Sequence, residues 1–245
     1  MIHFFRKLRG KLLSENKLSQ YFIYAIGEIV LVVLGILIAL QINNWNEGRK
    51  ARRAETRLME NILKDLKEDH ENLKGDIEYL EAQKQLQKQL YLESRKLAEP
   101  IEGGRYDLIL IVVDLYSITA DNHKGAPDNI SDEDIRSTLN KYFRDHTAAE
   151  VTIGELTETI KTEVRPFFKT LGGVNLQTVF DDSYYENNAL NMDRLREEFG
   201  SPEFDSMLAN LYVISSSVIN KLQELLKLNE ELSARISSTV NFQEP

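Results

Sequence analysis

The residues of this sequence best suited to acid–base chemistry or to metal binding are four histidines, which lie far apart in the chain. They are His3, His70, His123 and His146. None belongs to an H-E-x-x-H or E-x-x-H arrangement, which would place two metal ligands on one face of a helix. The chain has no cysteine, so thiolate zinc sites, cysteine nucleophiles and disulfide bonds are excluded. Phosphate-loop spacing and the G-x-S-x-G nucleophile motif are also missing from the sequence. We therefore expect no catalytic residue, no metal site, no cofactor and no enzymatic activity.

His70 falls within a stripe of apolar residues at helical spacing, and two interpretations of it are open. A metal ligand would need a second ligand, which the surrounding sequence does not offer, whereas a histidine at a partly buried helix interface needs none. The sequence favours the interface. The neighbouring acids Glu68 and Asp69 are assigned to a charged, solvent-exposed face of the same helix.

One carboxylate, Glu28, stands inside an otherwise apolar run near the N-terminus. The 22 residues from 21 to 42 are about 33 Å long as a helix, which matches the roughly 30 Å hydrocarbon layer of a membrane. No small-residue cleavage site follows the run, so we predict a retained, single transmembrane helix over residues 21–45. The aromatic residues predicted to anchor it at the two interfaces are Tyr21, Tyr24 and Trp45.

The carboxylate shares a helix face with small residues, because their spacing is four, three and four. Small residues let another helix approach closely, and a partner's hydroxyl, amide or cation would satisfy the carboxyl group. We predict that this face contacts a second transmembrane helix, from another copy or another protein. The alternative is that the carboxyl group is protonated or lies in a thinned, wetted interface. The residues of this face are Glu28, Val32, Gly35 and Ala39.

Charge is distributed unevenly along the chain. Residues 1–20 carry five basic side chains and one acid, and they form a basic amphipathic tail that could lie on an anionic membrane surface. After residue 45 there are 25 basic and 37 acidic side chains, a balance of −12. So acidic a domain is a poor match for a phosphate backbone, and we expect no nucleic-acid partner.

The orientation of the predicted anchor is not settled by charge, because five basic residues stand close to each of its ends. A short basic tail without a signal peptide normally stays in the cytoplasm, and long domains cross a membrane largely regardless of charge. We therefore expect a single-pass protein of the bacterial inner membrane, with residues 1–20 in the cytoplasm and a periplasmic domain over residues 46–245.

The domain beyond the anchor is predicted to be all-α, a helical bundle with long first and last helices. Residues 46–99 contain no proline and two glycines, and they favour a single long helix. Its stripe has the alternating three-and-four spacing of a helix that packs on a partner helix. The stripe consists of Leu63, Leu66, His70, Leu73, Ile77 and Leu80.

Shorter helices are predicted in the middle of the chain. Residues 106–120 are apolar and β-branched, but a strand would need a partner and none follows, so we predict a short buried helix. Ser131 has the position of an N-cap for the next helix. Another helix is expected over residues 152–170, with a kink or break at Pro166.

The last helix has the most regular pattern. Ser201 is expected to cap it and Pro202 to occupy its first position. Ten seam positions then follow at steps of four and three, and eight of them are apolar. We expect this helix to pack antiparallel against the first, although a parallel coiled coil between chains would produce the same stripes. The seam positions are Phe204, Leu208, Leu211, Ser215, Val218, Leu222, Leu225, Asn229, Leu232 and Ile236.

The N-terminal residues resemble a known family. The segment "IGEIVLVVLGILIALQINNWNE", preceded by "FFRKLRGKLLSENK", is similar to the N-terminal signature of an uncharacterised membrane-anchored family of Bacteroidota, the domain-of-unknown-function family 6090. The resemblance is specific from Phe4 to Glu47 and weaker in "ISDEDIRSTLNKYF" and "SPEFDSMLANLYVISSS". It implies an envelope protein with a helical soluble domain, and it implies no activity.

Three functional classes are compatible with these features. We favour a non-catalytic, membrane-anchored envelope protein that acts as scaffold or accessory subunit of a larger assembly. Its partners would be the lipid bilayer and another transmembrane protein or a second copy of itself. The alternative is a sensor whose helical domain binds a ligand and signals through a partner, since about 20 cytoplasmic residues leave no room for an output domain. A membrane-bound hydrolase or metalloenzyme has the least support.

Overall fold

A computed structural model describes residues 18–181 and 186–243 of the 245-residue chain. Residues 1–17, which make up most of the predicted basic tail, lie outside the described residues. The chain divides into two compact units, Met1–Glu55 and Thr56–Pro245. The described part of the first unit is helical, and the second unit is a bundle of long helices with shorter helical turns between them.

The predicted all-α class is confirmed. Within residues 18–181 and 186–243, β pairing is limited to one isolated antiparallel bridge between Val174 and Leu190. The non-α turns are 3₁₀ segments at Tyr106–Leu110 and Ala126–Asn129 and a π segment at Ile160–Val164. The α-helices are α1 Leu18–Ser94, α2 Ile118–Asn122, α3 Glu133–Thr159, α4 Arg165–Thr170, α5 Leu176–Phe180, α6 Met192–Glu197 and α7 Pro202–Gln243.

Helix α1 is one uninterrupted helix of 77 residues. It ends at Ser94, five residues before the predicted end at Glu99. The cause is local: Lys96 adopts a left-handed conformation with φ 58°, and the backbone N–H of Leu97 donates to the carbonyl of Leu92 at 2.8 Å. This six-residue closure around a left-handed residue is a Schellman motif, so the helix is terminated before Pro100 is reached.

Helices α1 and α7 pack antiparallel within one chain, as predicted. The amide of Gln87 donates to the hydroxyl of Ser215 at 3.0 Å, and the amide of Asn229 donates to the carbonyl of Leu66 at 3.0 Å. Residue numbers therefore rise along one helix as they fall along the other. All ten predicted seam positions of α7 are buried, with at most 4% of each residue exposed. Its start is also as expected, since the N–H of Phe204 donates to the Ser201 hydroxyl at 3.2 Å.

The third long helix of the bundle runs from α3 through the π segment into α4, where two separate helices were predicted. The predicted N-cap Ser131 is wrong by one residue, because the Asp132 carboxylate accepts the N–H groups of Asp134 and Ile135, each at 3.0 Å. The predicted kink at Pro166 takes the form of the π segment just before it. Proline lacks an N–H and clashes with the carbonyl four residues earlier, and a π turn relieves both.

This third helix packs antiparallel to α7. A salt bridge of 3.6 Å joins Asp134 to Arg235 near one end, and Asn210 donates to Glu163 at 3.0 Å near the other. It lies beside α1 in the parallel sense, because both helices are antiparallel to α7. The core of the second unit is therefore the space between three long helices.

The predicted helix over residues 106–120 is wrong. The chain forms a 3₁₀ turn, then runs extended from Ile111 to Ser117, and α2 follows. Gln83 holds the carbonyl of Ile111 at 2.9 Å, and Asp69 holds the N–H of Ile118 at 2.7 Å. Residues 83 and 69 of α1 are about 21 Å apart along the helix. The seven steps from 111 to 118 cover about 23 Å when extended but only about 10 Å as a helix, so only the extended chain reaches both.

We expect the α7 seam to be a packed core. Leu222→Ala or Leu225→Ala should lower the free energy of unfolding of residues 46–245 by about 2 to 5 kcal/mol, because each leucine is fully buried. Val213→Ala on the exposed side of α7 should change it by less than about 0.5 kcal/mol. Urea unfolding followed by circular dichroism measures all three, and near-neutral results at both leucines would contradict the bundle.

Candidate functional site

The predicted contact face of the membrane segment lies on α1, and its residues Val32, Gly35 and Ala39 are exposed. Glu28, Val32, Gly35 and Ala39 follow one side of the helix, and Val32 is 54% exposed. A Cβ added at Gly35 would meet no atom within 4 Å. In the part of the chain that the structure describes, α1 is the one helix long and apolar enough to cross a membrane, with a mean hydropathy of 2.6 in its most apolar window and none of that window buried. Contact with a second transmembrane helix stays a prediction.

The predicted interfacial anchors also lie on α1. Trp45 is 62% exposed, and the guanidinium carbon of Arg49 stands 5.1 Å from the centre of its ring. A cation over an indole face is a favourable electrostatic contact. Tyr21 and Tyr24 belong to the helical backbone, while their side chains lie outside the described residues. Their role as anchors, like that of Trp45, stays a prediction.

The most concentrated polar chemistry lies in the bundle, around Asp69. This carboxylate is completely buried. It accepts the hydroxyl of Ser117 at 2.6 Å, the N–H groups of Ile118 and Thr119 at 2.7 and 3.2 Å, and the hydroxyl of Tyr142 at 3.0 Å. A carboxylate offers about four acceptor positions, so these donors use its full capacity. The assignment of Asp69 to a solvent-exposed face is therefore wrong, whereas Glu68 is exposed as predicted.

Asp69 acts as a cap supplied from a distant part of the chain. Two of its donors are backbone N–H groups at the start of α2, which have no acceptor within that helix. Ser117, the N-cap residue of α2, in turn accepts the N–H of Ala120 at 3.0 Å. The buried carboxylate thus stabilises the start of α2 and ties it to α1.

Tyr142 is held as a hydrogen-bond donor in this cluster. Burial, and secondarily the nearby Asp69 carboxylate, raise the pKa of the Tyr142 hydroxyl well above its usual range. A phenol that stays protonated donates to a carboxylate and does not compete with it for a proton. The Asp69 cluster is therefore a structural joint between α1, α2 and α3.

Further polar side chains of α1 bind the same connecting chain, which we call the return segment (residues 106–123). Asp65 lies 3.0 Å from the His123 ring and accepts the Asn122 amide at 3.0 Å. Gln83 donates to the carbonyl of Leu108 at 2.6 Å as well as to that of Ile111.

At its other end the return segment begins on Glu93, which accepts the Tyr106 hydroxyl. Burial, followed by this hydrogen bond, raises the pKa of the Tyr106 hydroxyl. From Glu93 back to Asp65 the return segment runs antiparallel to α1. Its backbone polar groups find partners among α1 side chains, which replace the ladder that a sheet would provide.

The histidines of the bundle occupy structural positions. His70 is partly buried between Glu71 and Glu230 at 3.1 and 3.3 Å, consistent with an interface residue. His146 is buried one turn from Tyr142, with Nδ1 3.7 Å from a Glu150 carboxylate oxygen. Burial lowers the pKa of His146, and the Glu150 charge opposes this in part. No group of three His, Asp or Glu side chains in the described part of the chain is placed to hold a metal ion.

Asp69 was missed because two overlapping patterns fit α1. Leu66, Leu73 and Leu80 belong to both, but the remaining positions are either Leu63, His70 and Ile77 or Ile62, Asp69 and Asp76. The structure buries Ile62 and Asp69 completely and leaves Leu63 and His70 only partly buried, whereas one turn later Ile77 is buried and Asp76 only partly buried. Met59, seven residues before Leu66, fits both patterns, so periodicity alone does not decide between them.

Replacing Asp69 should destabilise the bundle strongly. Asp69→Ala leaves two backbone N–H groups and two hydroxyls buried without their acceptor, and we expect a loss of at least about 2 kcal/mol in the free energy of unfolding. Glu68→Ala, at the neighbouring exposed position, should change it by less than about 0.5 kcal/mol. Chemical denaturation of the two variants provides the comparison. Equal, small effects would show that the carboxylate contributes little.

Comparison with known proteins gives one match. A family model described as a family of unknown function (DUF6090) matches residues 28–102, which is under a third of the chain. The matched part begins at Glu28 and covers most of α1, including Asp69 and Gln83, and ends before the return segment. No curated protein and no solved structure matches the chain. Over its N-terminal part the chain is thus similar to a family of unknown function.

Proposed function

We propose that this protein is a non-catalytic, membrane-anchored envelope protein that serves as scaffold or accessory subunit of a larger assembly. The observation that carries the proposal is the composition of α1. Its N-terminal part is a long apolar helix, and none of the most apolar stretch is buried. Its later part supplies buried residues to the core of the second unit. An exposed apolar helix of this length is stable in a bilayer and unfavourable in water.

The use of the polar groups in the second unit supports a non-catalytic role. A catalytic acid or base must be able to reach a substrate proton. Asp69 accepts four hydrogen bonds from its own chain, and Asp65 and Glu93 likewise bind the return segment. These carboxylates hold the fold together and are committed to that task.

For its location we propose the bacterial inner membrane, with a single span, a cytoplasmic N-terminus and a periplasmic domain. The short basic tail without a signal peptide and the length of the domain after the anchor support this orientation. The lipid bilayer is one partner. A second transmembrane helix on the face of Glu28 and Gly35, from another protein or another copy, is the other.

The orientation predicts the behaviour of a reporter fusion. Alkaline phosphatase joined after Pro245 should be active, because that enzyme requires an oxidising compartment for its disulfides. A cytoplasmic reporter such as green fluorescent protein fused by the same route provides the reciprocal readout. Phosphatase activity confined to a fusion before residue 20 would reverse the orientation.

The assembly predicts a crosslinking result. The chain has no cysteine, so Val32→Cys and Ala39→Cys give specific disulfide or bismaleimide crosslinks in membranes. We expect a discrete product that Gly35→Leu abolishes by keeping the helices apart and that Glu28→Gln largely preserves, since an amide can still hydrogen-bond. Leu37→Ala, on the opposite side of the helix, is the matched control. Only monomer at both positions, and no stoichiometric partner after gentle solubilisation, would count against the proposal.

A further inference from the structure

The grooves between the three long helices differ in what covers them, and the groove between α1 and α7 is both open and mainly apolar. The groove between α1 and the α3–α4 helix is occupied by the return segment, which Gln83 of α1 binds from one side and Arg165 of α4 from the other, at 2.9 Å to the Leu110 carbonyl. The groove between α1 and the first half of α7 has no such cover and measures about 530 Å³. Its floor and walls are apolar or aromatic: Tyr91, Leu208, Ala209, Tyr212 and Val213.

The side chains of this groove are unusually exposed for their type. Val213 is 65% exposed, Tyr91 47% and Tyr212 36%. The α7 side also lacks charge, because residues 206–220 contain no Asp, Glu, Lys or Arg although 28% of the chain is charged. Charged residues return at Lys221 and continue to Arg235. Four helical turns with an uncharged outer face are typical of a surface that another protein element covers.

The α1 side of the groove is basic. The ammonium of Lys84 lies 5.0 Å from the centre of the Tyr212 ring, and Lys88 and Arg95 follow along the same side. One acid opposes them, since Asp205 pairs with Arg95 at 2.6 Å. With Glu81, which accepts the Gln223 amide one turn before Lys84, three cations and two carboxylates give this side a balance of +1, in a chain whose residues after 45 carry −12. The local sign is therefore opposite to that of the domain around it.

We propose that this groove binds an amphipathic, acidic α-helix of a different protein, which completes a four-helix arrangement with α1 and α7. Helix-in-groove recognition places apolar side chains at helical spacing into such a groove. Acidic residues flanking that apolar stripe would meet Lys84, Lys88 and Arg95 on the α1 side. The inference deepens the proposed function, on which it rests, by naming the chemistry of the partner.

Charge also argues against a second copy in the groove. Two grooves facing each other would bring together two surfaces of net positive charge. The outer face of α3 does carry Val151, Glu155 and Glu158, which would suit the groove. However, Lys161 and Lys169 are exposed further along the same long helix. Both carry the sign of the groove and oppose the contact. The basic residues 1–17 of the chain have the wrong sign as well.

A synthetic helix pair tests the proposal on the full chain in lipid nanodiscs, which avoids detergent in the groove. One fluorescent 21-residue peptide carries leucine at the a and d positions of three heptads with glutamate beside them, and its counterpart carries lysine in place of glutamate. Anisotropy should show saturable binding of the acidic peptide, weaker at high salt, and at least tenfold weaker binding of the basic one.

Variants locate the binding. Val213→Glu should weaken binding of the acidic peptide at least tenfold, whereas Val151→Glu, at a similarly exposed valine on α3, should leave it unchanged. Lys84→Glu combined with Lys88→Glu should reverse the preference between the two peptides. Equal binding of both peptides, no binding, or equal effects of the two valine variants would overturn the proposal.

Photocrosslinking from positions 213 and 151, with benzoylphenylalanine in the full chain in its native cells, tests the occupant itself. Support consists of a product from position 213 whose crosslinked peptide, identified by mass spectrometry, is an acidic amphipathic helix of another protein. Crosslinks to the chain's own peptides, or to lipid alone, would overturn it. If the groove fails these tests while Gly35→Leu still disrupts membrane assembly, the proposed function stands and only the groove assignment falls.

Discussion

The fold of the second unit depends on the satisfaction of buried polar groups on α1. A helix that buries two carboxylates and two amides must surround them with donors and acceptors, because an unsatisfied buried group costs about 1 to 3 kcal/mol. Gln87 finds its partner on α7, and the partners of Asp69, Gln83 and Glu93 come from the return segment, whose own irregular backbone also needs partners. Asp69 and Gln83 fix two points of that segment, and the distance between them along α1 determines that the chain between is extended. The return segment thus supplies hydrogen-bond partners to the buried side chains of α1, and those side chains supply partners to the backbone of the return segment.

The parts of the fold that could be predicted are those governed by apolar periodicity. The seam of α7 repeats without a slip over ten positions, and its start carries Ser201 and Pro202, so its burial and antiparallel packing were predictable. Which face of α1 is buried could not be predicted. Leu66, Leu73 and Leu80 fit two patterns, and the residue that distinguishes them, Asp69, is charged. A charged residue is expected to be exposed unless its hydrogen-bond donors are known. The donors of Asp69 in the return segment lie about 50 residues later in the chain.

Of the two candidate binding surfaces, one could be predicted from the sequence and the other could not. The shared face of Glu28 and Gly35 is visible from spacing alone, and the helix of the structure preserves it. The groove between α1 and α7 was not predictable, although the uncharged stretch of residues 206–220 is plain in the sequence. Whether that stretch faces a neighbour or solvent depends on the rotation of α7 against α1, and on the path of the return segment, which covers a different groove. The rotation of α7 and the path of the return segment are both determined by contacts between side chains and backbone groups of distant residues. Sequence periodicity carries no information about such contacts.

The antiparallel pairing of the first and last long helices has a consequence for synthesis of the chain. Gln87 and Ser215 are 128 residues apart, and Leu66 and Asn229 are 163 apart. Contacts of such sequence separation require large loops to close before they stabilise anything, which slows folding. Helix α1 leaves the ribosome early, before α7 is available to cover its leucines and before the return segment is available to bind Asp69. The bundle can close only when almost the entire chain has been translated, so the amphipathic face of α1 is exposed to chaperones and to neighbouring nascent chains throughout that interval.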